Sequence, residues 1–175
     1  MKQPPSPPDP PDAASFRDAL GRCANGVTVV TTFCDGQRHG LTVSAFCSVS
    51  AEPPRVLVCL GNDTDSKPLI DRSGRFAVHV LGRASAALGP RFAKLAPDSG
   101  DPFAGLDLTV AESGCPILEN CVLWLDCRVE ARHAAGDHTI FVGAVTALGR
   151  GRDDSEPVVY CRRAWRKLDP SPIDL

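Results

Sequence analysis

The feature that most constrains this chain is the stretch of residues 39–50, HGLTVSAFCSVS. Every second side chain from Leu41 to Val49 is apolar or small, and the positions between them carry hydroxyl groups, with Phe46 as the exception. This two-residue alternation predicts a β-strand with one face toward a core. The other face offers short, uncharged hydrogen-bonding groups around one aromatic ring, which suits a planar polar ligand. A solvated edge strand rich in Ser and Thr fits this stretch equally well.

Length and composition indicate one globular domain. With 175 residues, of which 43% are hydrophobic and 23% are charged, the chain can bury one sizeable core but hardly two. The formal net charge of -2 gives no electrostatic reason to bind nucleic acid or an anionic membrane. No apolar stretch reaches the roughly 20 residues that span a bilayer, and no apolar signal segment follows the N-terminus. We therefore expect a cytoplasmic protein with no nucleic-acid or membrane partner.

The spacing of the eight cysteines and four histidines predicts neither a metal site nor a disulfide framework. No C-x-x-C pair occurs, and the histidines form no H-x-H or H-E-x-x-H motif. Most of the cysteines lie in apolar runs, where a reduced thiol packs as a small hydrophobe. We expect reduced cysteines and no bound metal.

The chain divides into a disordered proline-rich arm (1–12), one folded domain (13–168) and a C-terminal tail (169–175). An N-cap at Ser15 and another at Ser66 begin two of the predicted helices, and an Asp35-Gly36 turn closes the first hairpin. The predicted helices cover 13–23, 67–72 and 84–96, and the predicted strands cover 27–33, 39–50, 55–60, 76–81, 106–110, 121–132, 139–148 and 158–161. Short strands with few short helices indicate a mainly β fold, an antiparallel β-barrel or sandwich with peripheral helices. The chain contains no Gly-rich dinucleotide or P-loop motif.

Three local patterns are able to carry chemistry. The first is the hydroxyl face of residues 42–48, with Thr31 and Thr32 on the neighbouring strand. The second is the polar loop 62–67, in which a hydroxyl and an ammonium group at a helix N-terminus suit a phosphate. The third is the segment 136–138, Gly-Asp-His, in which the carboxylate can orient an imidazole that transfers a proton or donates a hydrogen bond near neutral pH. A capped surface turn and an exposed hairpin histidine are the alternative interpretations of the last two patterns.

Several segments in order carry a resemblance to a known family. They are FRDALGR (16–22), NGVTVVTT (25–32), HGLTVSAF (39–46), SVS (48–50), Pro53-Pro54, Ser66-Lys67, SGRFAVHVL (73–81), RFA (91–93), GCP (114–116) and GDH (136–138). Together they resemble the flavin reductase-like family, whose fold is the FMN-binding split β-barrel. The resemblance covers roughly residues 15–168.

This resemblance implies a homodimeric NAD(P)H:flavin oxidoreductase. Such a protein binds FMN or FAD without covalent attachment, reduces it with NADH or NADPH, and supplies reduced flavin to a partner monooxygenase. The hydride transfer depends mainly on proximity and alignment of the two rings.

The resemblance also implies roles for particular residues. The positions that would line the isoalloxazine and ribityl groups are Thr31, Thr32, Thr42, Val43, Ser44, Ala45 and Ser48. Ser66 and Lys67 would hold the phosphate, and Phe92 would lie near the flavin. His138, the catalytic residue, would bind and orient the nicotinamide together with Asp137 and Gly136.

Several points stay open at the level of sequence. No motif distinguishes FMN from FAD or NADH from NADPH. Asp63 and Asp65 put negative charge beside the expected phosphate contact, which fits either weak flavin binding or carboxylates turned to solvent. Two other functions fit the same residues: a flavoenzyme that retains FMN and reduces another small molecule, and a non-catalytic flavin-binding protein.

Overall fold

The computed structural model describes residues 10–95, 100–151, 156–169 and 171, and within them the chain is mainly β. The helices are α1 (Ala13–Leu20), α2 (Ser66–Ser73) and α3 (Leu88–Phe92). The strands are β1 (Asn25–Gly26), β2 (Thr28–Cys34), β3 (Gln37–Val43), β4 (Phe46–Ala51), β5 (Pro54–Gly61), β6 (Arg75–Val80), β7 (Leu108–Val110), β8 (Pro116–Leu118), β9 (Leu123–Ala135), β10 (His138–Arg150), β11 (Val158–Cys161) and β12 (Ala164–Lys167). Most of the predicted arm and tail fall outside the described residues, so the domain bounds stay a prediction.

The main sheet has seven antiparallel strands in the order β3-β2-β6-β9-β10-β5-β4. Its two edge strands, β3 and β4, are consecutive in the chain and are joined by Ser44 and Ala45 alone. The sheet therefore curls until its edges approach each other, which leaves a split between β3 and β4. Apolar side chains such as Val58, Phe76 and Phe141 fill its interior. The predicted split β-barrel with peripheral helices is confirmed.

Residues 39–50 do not form the single strand that the alternation predicts. β3 ends at Val43 and pairs with β2, whereas β4 begins at Phe46 and pairs with β5. The chain has to bend at Ser44 and Ala45 because its two halves pair with different neighbours on opposite edges of the sheet. The prediction that each half of this segment is a strand was right, and the prediction that the two halves form one continuous strand was wrong.

The bend also reverses which side chains face the core. Leu41 and Val43 pack against the core, as predicted. Beyond the bend Phe46 packs inward, while Cys47 is exposed and Val49 is 49% exposed. The prediction that Cys47 and Val49 belong to the core face was therefore wrong.

The turn at Asp35-Gly36 is confirmed. Asp35 has φ 52° and Gly36 has φ 76°, and Cys34 pairs with Gln37 across the turn. Two successive positive φ values match the right-handed twist of a hairpin, and Asp-Gly is among the dipeptides that reach them most easily.

The predicted helix caps differ from the observed ones. α1 begins after Asp12, whose carboxylate accepts a hydrogen bond from the Ser15 backbone N–H at 2.8 Å, so Asp12 and not Ser15 is the N-cap. Ser66 is the first residue of α2 and its hydroxyl bonds to His39 instead of capping the helix. An aspartate three residues ahead satisfies a free N–H of α1 as well as a serine would.

The helix predicted over 84–96 is broken. A 3-10 turn covers Arg83–Ser85, and α3 follows at Leu88–Phe92. Pro90 lacks an N–H and would clash with the carbonyl four residues earlier inside a continuous helix. The break places Pro90 in the first turn of α3, where no intrahelical donor is needed.

Two small sheets lie beside the main one: β1-β11-β12 and β7-β8. The indole of Trp165 on β12 lies directly against Gly89 of α3, where no side chain would fit. The Gly89 carbonyl accepts a hydrogen bond from Thr42 Oγ1 at 2.6 Å, so this packing connects β12 to the end of β3. β1 and β8 were not predicted, because β1 has only two residues and β8 begins at Pro116, which interrupts a strand pattern.

Candidate active site

A cleft of about 580 Å³ opens at the split between β3 and β4. Three segments meet there: the end of β3 with the bend, the end of β5 with the following loop, and the turn between β9 and β10. The lining residues are Leu41, Thr42, Val43, Ser44, Ala45, Cys59, Leu60, Gly61, Asn62, Asp63, Thr64, Asp137 and His138. The structure thus brings the predicted positions 42–45 together with Asp137 and His138, which are far away in sequence. The volume lies within the range of small-molecule and cofactor sites.

Pairing between β5 and β10 fixes the position of the histidine. His138 is the first residue of β10 and lies opposite Gly61, the last residue of β5. Gly136 has φ 62° and lets the chain reverse within two residues. The Asn62 N–H donates to the Asp137 carbonyl at 2.9 Å, and the Asn62 side chain accepts from Thr139 Oγ1 at 2.7 Å. The turn is therefore held to the loop after β5 on both sides of His138.

His138 and Asp137 form a hydrogen-bonded pair at the cleft. Nδ1 of His138 lies 2.7 Å from Oδ1 of Asp137, and the imidazole side chain is 48% exposed. A carboxylate only accepts hydrogen bonds, so Nδ1 carries the proton and Nε2 is left for a ligand. The hydrogen bond from His138 lowers the pKa of Asp137, and the positive charge of Arg17 on α1 lowers it further. Asp137 thus stays ionised and orients the ring.

The space beside His138 exists because residue 61 is glycine. A Cβ at Gly61 would lie 2.9 Å from Oδ1 of Asp63 and 4.0 Å from Nε2 of His138. The rest of the lining is mostly uncharged, with apolar walls and the polar groups of Ser44, Asn62 and Thr64. A flat, hydrogen-bonding ring system such as a flavin fits this donor set and this space.

A smaller pocket of about 310 Å³ adjoins the cleft and shares part of its lining. It contains His39, Ser66, Phe92 and Lys94. Nδ1 of His39 lies 2.6 Å from the Ser66 hydroxyl, and burial lowers the pKa of His39, with a smaller opposing effect from the nearby carboxylate of Asp65. Only 3% of Phe92 is exposed. This pocket therefore offers a hydroxyl and an imidazole over an aromatic floor.

One ammonium group reaches the smaller pocket, and it is not the predicted one. Nζ of Lys94 lies 2.6 Å from Oδ2 of Asp65 in this pocket. Nζ of Lys67 instead donates to Oδ2 of Asp71 at 2.8 Å, and Lys67 lines neither pocket. Lys94 escaped prediction because it lies more than twenty residues from the loop that it completes.

Three other predicted positions lie outside both pockets. Thr31 and Thr32 are buried, and their hydroxyls donate to the carbonyls of Pro116 at 2.7 Å and Arg75 at 2.9 Å. Ser48 is exposed on β4, beyond the bend. The sequence analysis placed these three with residues 42–45 because it treated 39–50 as one strand and its hairpin partner as a second ligand face.

Several lining residues have no counterpart in the sequence analysis. Cys59, Leu60 and Gly61 come from the end of β5, and His39 lies at the smaller pocket. A glycine followed by Asn62 at the end of a predicted strand was the available signal. That signal indicates a site only when β5 is known to pair with β10, because this pairing places Gly61 opposite His138.

Among the residues that the structure describes, the thiols and other metal-binding groups form no metal centre. All eight cysteines are free. No group of three or more His, Cys, Asp or Glu side chains within the described ranges is placed to hold a metal ion. Among the same residues, no helix has the length and apolar character needed to cross a membrane.

Comparisons with known proteins agree with this geometry. The family model for the flavin reductase like domain matches residues 20–169. HsaB, the reductase subunit of a flavin-dependent monooxygenase from Rhodococcus jostii, is 36% identical over 159 residues, covering 91% of this chain and 80% of HsaB. FMN reductase (NADH) RutF 2 of Methylorubrum extorquens is 36% identical, covering 91% of each chain.

A solved structure matches over nearly the whole chain. It is the NADH:FAD oxidoreductase SgcE6 of Streptomyces globisporus, with a TM-score of 0.84 and 32% identity, covering 96% of this chain and 100% of SgcE6. SgcE6 has also been solved in complex with NAD and FAD fragments.

The split-barrel fold and the similarity to flavin reductases define a class of flavin-linked oxidoreductases. Within that class, this chain belongs to the flavin reductase-like family. The predicted family and its flavin reductase activity are confirmed.

Proposed function

We propose that the 580 Å³ cleft binds the ring of FMN or FAD beside the nicotinamide of NADH or NADPH. The observation that carries the proposal is that residues 42–45, at the end of β3 and in the bend, meet the Asp137–His138 pair across one cleft. Flavin, when bound, supplies the hydride acceptor. The protein supplies the alignment of the two rings.

The cleft residues divide this task between them. Thr42, Val43, Ser44 and Ala45 form one wall, where hydroxyl and backbone groups hold the edge of the ring and apolar side chains exclude water. Asn62 bonds to the turn that carries His138 and so holds that turn against the loop after β5. Nε2 of His138 binds and orients the nicotinamide, while Asp137 holds the imidazole in one tautomer.

The smaller pocket is the proposed site of the flavin phosphate. Ser66 offers a hydroxyl there, and Phe92 forms the floor next to Thr42. Lys94 takes the role that the resemblance implies for Lys67, because Lys94 lines this pocket and Lys67 does not. The Asp65 carboxylate beside Lys94 weakens the attraction for a phosphate, which suits an enzyme that releases reduced flavin.

An apolar outer face of the sheet supports a homodimer. Cys47 and Val49 on β4, Leu57 and Cys59 on β5, and Val142 on β10 all point away from the core and stay at least partly exposed. Contiguous apolar surface of this kind is typical of a contact with another protein. A second copy of this chain is the proposed occupant, and Cys59 places the face next to the cleft.

The proposed partner follows from the same reaction, and the proposed location follows from the state of the cysteines. Several relatives are named as reductase subunits or reductases that act with a monooxygenase, HsaB among them. The proposal extends this to the present chain, which would deliver reduced flavin to a separate monooxygenase. The eight free cysteines fit the reducing cytoplasm.

The test is an absorbance assay that follows loss of reduced nicotinamide. Purified protein receives NADH or NADPH together with FMN or FAD, in each of the four combinations. The proposal expects turnover that rises and saturates with added free flavin. Absence of turnover with all four combinations would contradict it. A yellow colour retained through gel filtration, with little dependence on added flavin, would favour the flavoenzyme that keeps FMN.

A further inference from the structure

The smaller pocket contains a histidine, His39, to which the proposed function gives no role. Nδ1 of His39 lies 2.6 Å from the Ser66 hydroxyl, although the two residues are 27 positions apart in sequence. Ser66 is 1% exposed, and among the described residues His39 is the hydrogen-bond partner of its hydroxyl. The hydroxyl that is proposed to meet the flavin phosphate is therefore paired with a titratable ring.

The fold holds both partners of this hydrogen bond in place. His39 lies within β3, opposite Thr32 of β2, and Ser66 is the first residue of α2, which packs against both strands. Gly40 follows His39, and a Cβ there would lie 2.7 Å from Cε1 of Phe92, the floor of the smaller pocket. The His39–Ser66 pair thus lies between a strand and a helix, beside a closely packed aromatic ring.

The proton on the imidazole decides what the Ser66 hydroxyl can do. When Nδ1 of His39 carries no proton, it accepts the Ser66 O–H, and only the lone pairs of that oxygen are left for a ligand. When Nδ1 is protonated, it donates to Ser66 Oγ, and the hydroxyl proton is free to be donated elsewhere. Phosphate oxygens accept hydrogen bonds, so only the second arrangement suits a phosphate. The imidazolium ion always has this second arrangement.

The charge of the smaller pocket also favours the imidazolium ion when a phosphate is bound. The charged side chains of the lining are Asp63 and Asp65, in the loop after β5, and Lys94, after α3. α2 contributes only Ser66 to the lining, and Thr32 on β2 is uncharged. Two carboxylates and one ammonium leave one negative charge in excess while His39 is neutral. A proton on His39 cancels this excess.

Proton uptake and phosphate binding are therefore linked. Burial lowers the pKa of His39 below its usual 6.5, while the Asp65 carboxylate raises it and the Lys94 ammonium lowers it, each by less than burial does. The ring of the unliganded protein is thus mainly neutral at pH 7. A phosphate adds negative charge beside the ring and raises the pKa of His39 again. By reciprocity, the proton on His39 strengthens phosphate binding.

We propose that His39 is a positioning residue for the flavin phosphate: a proton on its ring turns the Ser66 hydroxyl into a hydrogen-bond donor to a phosphate oxygen. This inference rests on the proposed function, which places the flavin phosphate in the smaller pocket. Under this arrangement Asp63 and Asp65 do not prevent phosphate binding. They make it depend on pH.

The test measures flavin affinity and proton uptake together, by calorimetry in two buffers of different ionisation enthalpy, between about pH 5.5 and pH 8. FAD is the probe, because its phosphates are diesters that do not titrate in this range, whereas a phosphate monoester such as that of FMN titrates at about pH 6. Riboflavin, which has no phosphate, is the matched control ligand.

The variant is H39N, whose amide can donate to Ser66 Oγ from nearly the position of Nδ1 but does not titrate. H133N is the control variant, since His133 is exposed on β9 and lines neither the cleft nor the smaller pocket.

We expect the wild type to bind FAD roughly tenfold more tightly at the acid end of this range than at the alkaline end, and to take up a fraction of a proton on binding it. Riboflavin affinity should change by less than about twofold. H39N should bind FAD with one affinity throughout and take up no proton. H133N should behave as the wild type does.

Four results would overturn the proposal: FAD affinity that does not depend on pH, the same pH dependence with riboflavin, a pH dependence that persists in H39N, or one that is lost in H133N. The first two need only the wild type, so they decide the matter even where H39N does not fold. None of these readouts needs turnover. A protein that shows the linkage but fails the four-combination assay overturns the proposed function alone, and one that binds neither flavin overturns both.

Discussion

At the scale of single residues, the proposed chemistry depends on how the imidazole of His138 is held. Asp137 fixes Nδ1 of His138, and Asn62 fixes the turn from the other side. A half-exposed histidine on a free turn would sample several orientations. Here its neighbours restrict it, so Nε2 keeps one direction toward the cleft.

Replacing His138 by alanine should affect the nicotinamide more than the flavin. We expect H138A to raise KM for the reduced nicotinamide by about tenfold or more, since a directed contact is lost, while flavin affinity stays within about twofold. Steady-state kinetics and flavin fluorescence measure the two effects. H133A, on the same hairpin but outside both pockets, is the control. Unchanged kinetics in H138A would remove His138 from the site.

His79 provides a second prediction at the residue scale. Its ring is fully buried, Nδ1 lies 3.0 Å from the Val29 carbonyl, and Nε2 has no hydrogen-bond partner among the described residues. Burial lowers the pKa of His79 from 6.5 to about 4. Between these values the unfolded chain binds a proton that the folded protein does not. Stability therefore falls as the pH falls through this window.

Acidification from pH 7 to pH 4 should lower the free energy of unfolding by about 3 kcal/mol through His79 alone. The variant H79N keeps a side-chain N–H for the Val29 carbonyl but does not titrate, so its stability should depend less on pH. Urea unfolding at several pH values measures the difference. The same pH slope in both proteins would contradict this account. The lowered pKa of His39 acts in the same direction and remains in both proteins.

At the scale of secondary structure, the cleft is made by strand ends. β3 stops at the bend, β5 stops at Gly61, and β10 starts at His138. Strand ends release backbone groups from sheet pairing and bring different segments to one place. The pairing of Gly61 with His138 is the element contact that sets the cleft width.

A methyl group at the end of β5 should therefore reduce flavin binding without unfolding the protein. In G61A the new Cβ would lie 2.9 Å from Oδ1 of Asp63, an exposed side chain that can move. We expect the dissociation constant for flavin to rise roughly fivefold or more, with the melting temperature within about 2 °C of the wild type. G26A, where a Cβ meets nothing within 4 Å, is the control. Full flavin affinity in G61A would place the ring elsewhere.

At the scale of the whole molecule, the curled sheet has two surfaces of different character. Its inner surface is a closed apolar core. Its outer surface at β4, β5 and β10 is apolar and partly exposed. In a single copy this outer surface has no cover among the described residues, and it borders the cleft through Cys59.

A charge placed on this face should separate the proposed dimer. We expect the wild type to have twice the 18.6 kDa chain mass in light scattering after gel filtration. V49K would bury an uncompensated ammonium and should raise the dimer dissociation constant by about 100-fold or more. V110K, at a side chain that is 70% exposed on β7, is the control. A monomeric wild type, or a V49K protein that stays dimeric, would contradict the proposal.

Much of the strand and turn pattern could be predicted, because it depends on neighbouring residues. The Asp35-Gly36 turn needs only the conformational freedom of its two residues. The strand 76–81 was recognised within one residue at each end. A longer-range feature was missed: Lys94, which pairs with Asp65 across 29 positions of the sequence, lines the smaller pocket, whereas Lys67 pairs with Asp71 outside it. Ion pairs between distant segments are not visible in local sequence patterns.

The sequence by itself determined the mainly β class, the turn chemistry and the motif order that identifies the family, since each is a property of short segments or of their order. Only the tertiary structure decided that residues 39–50 bend at Ser44 and Ala45 and that Gly61 faces His138. These features arise from pairing between strands far apart in sequence. Such pairing is decided by the packing of the whole sheet.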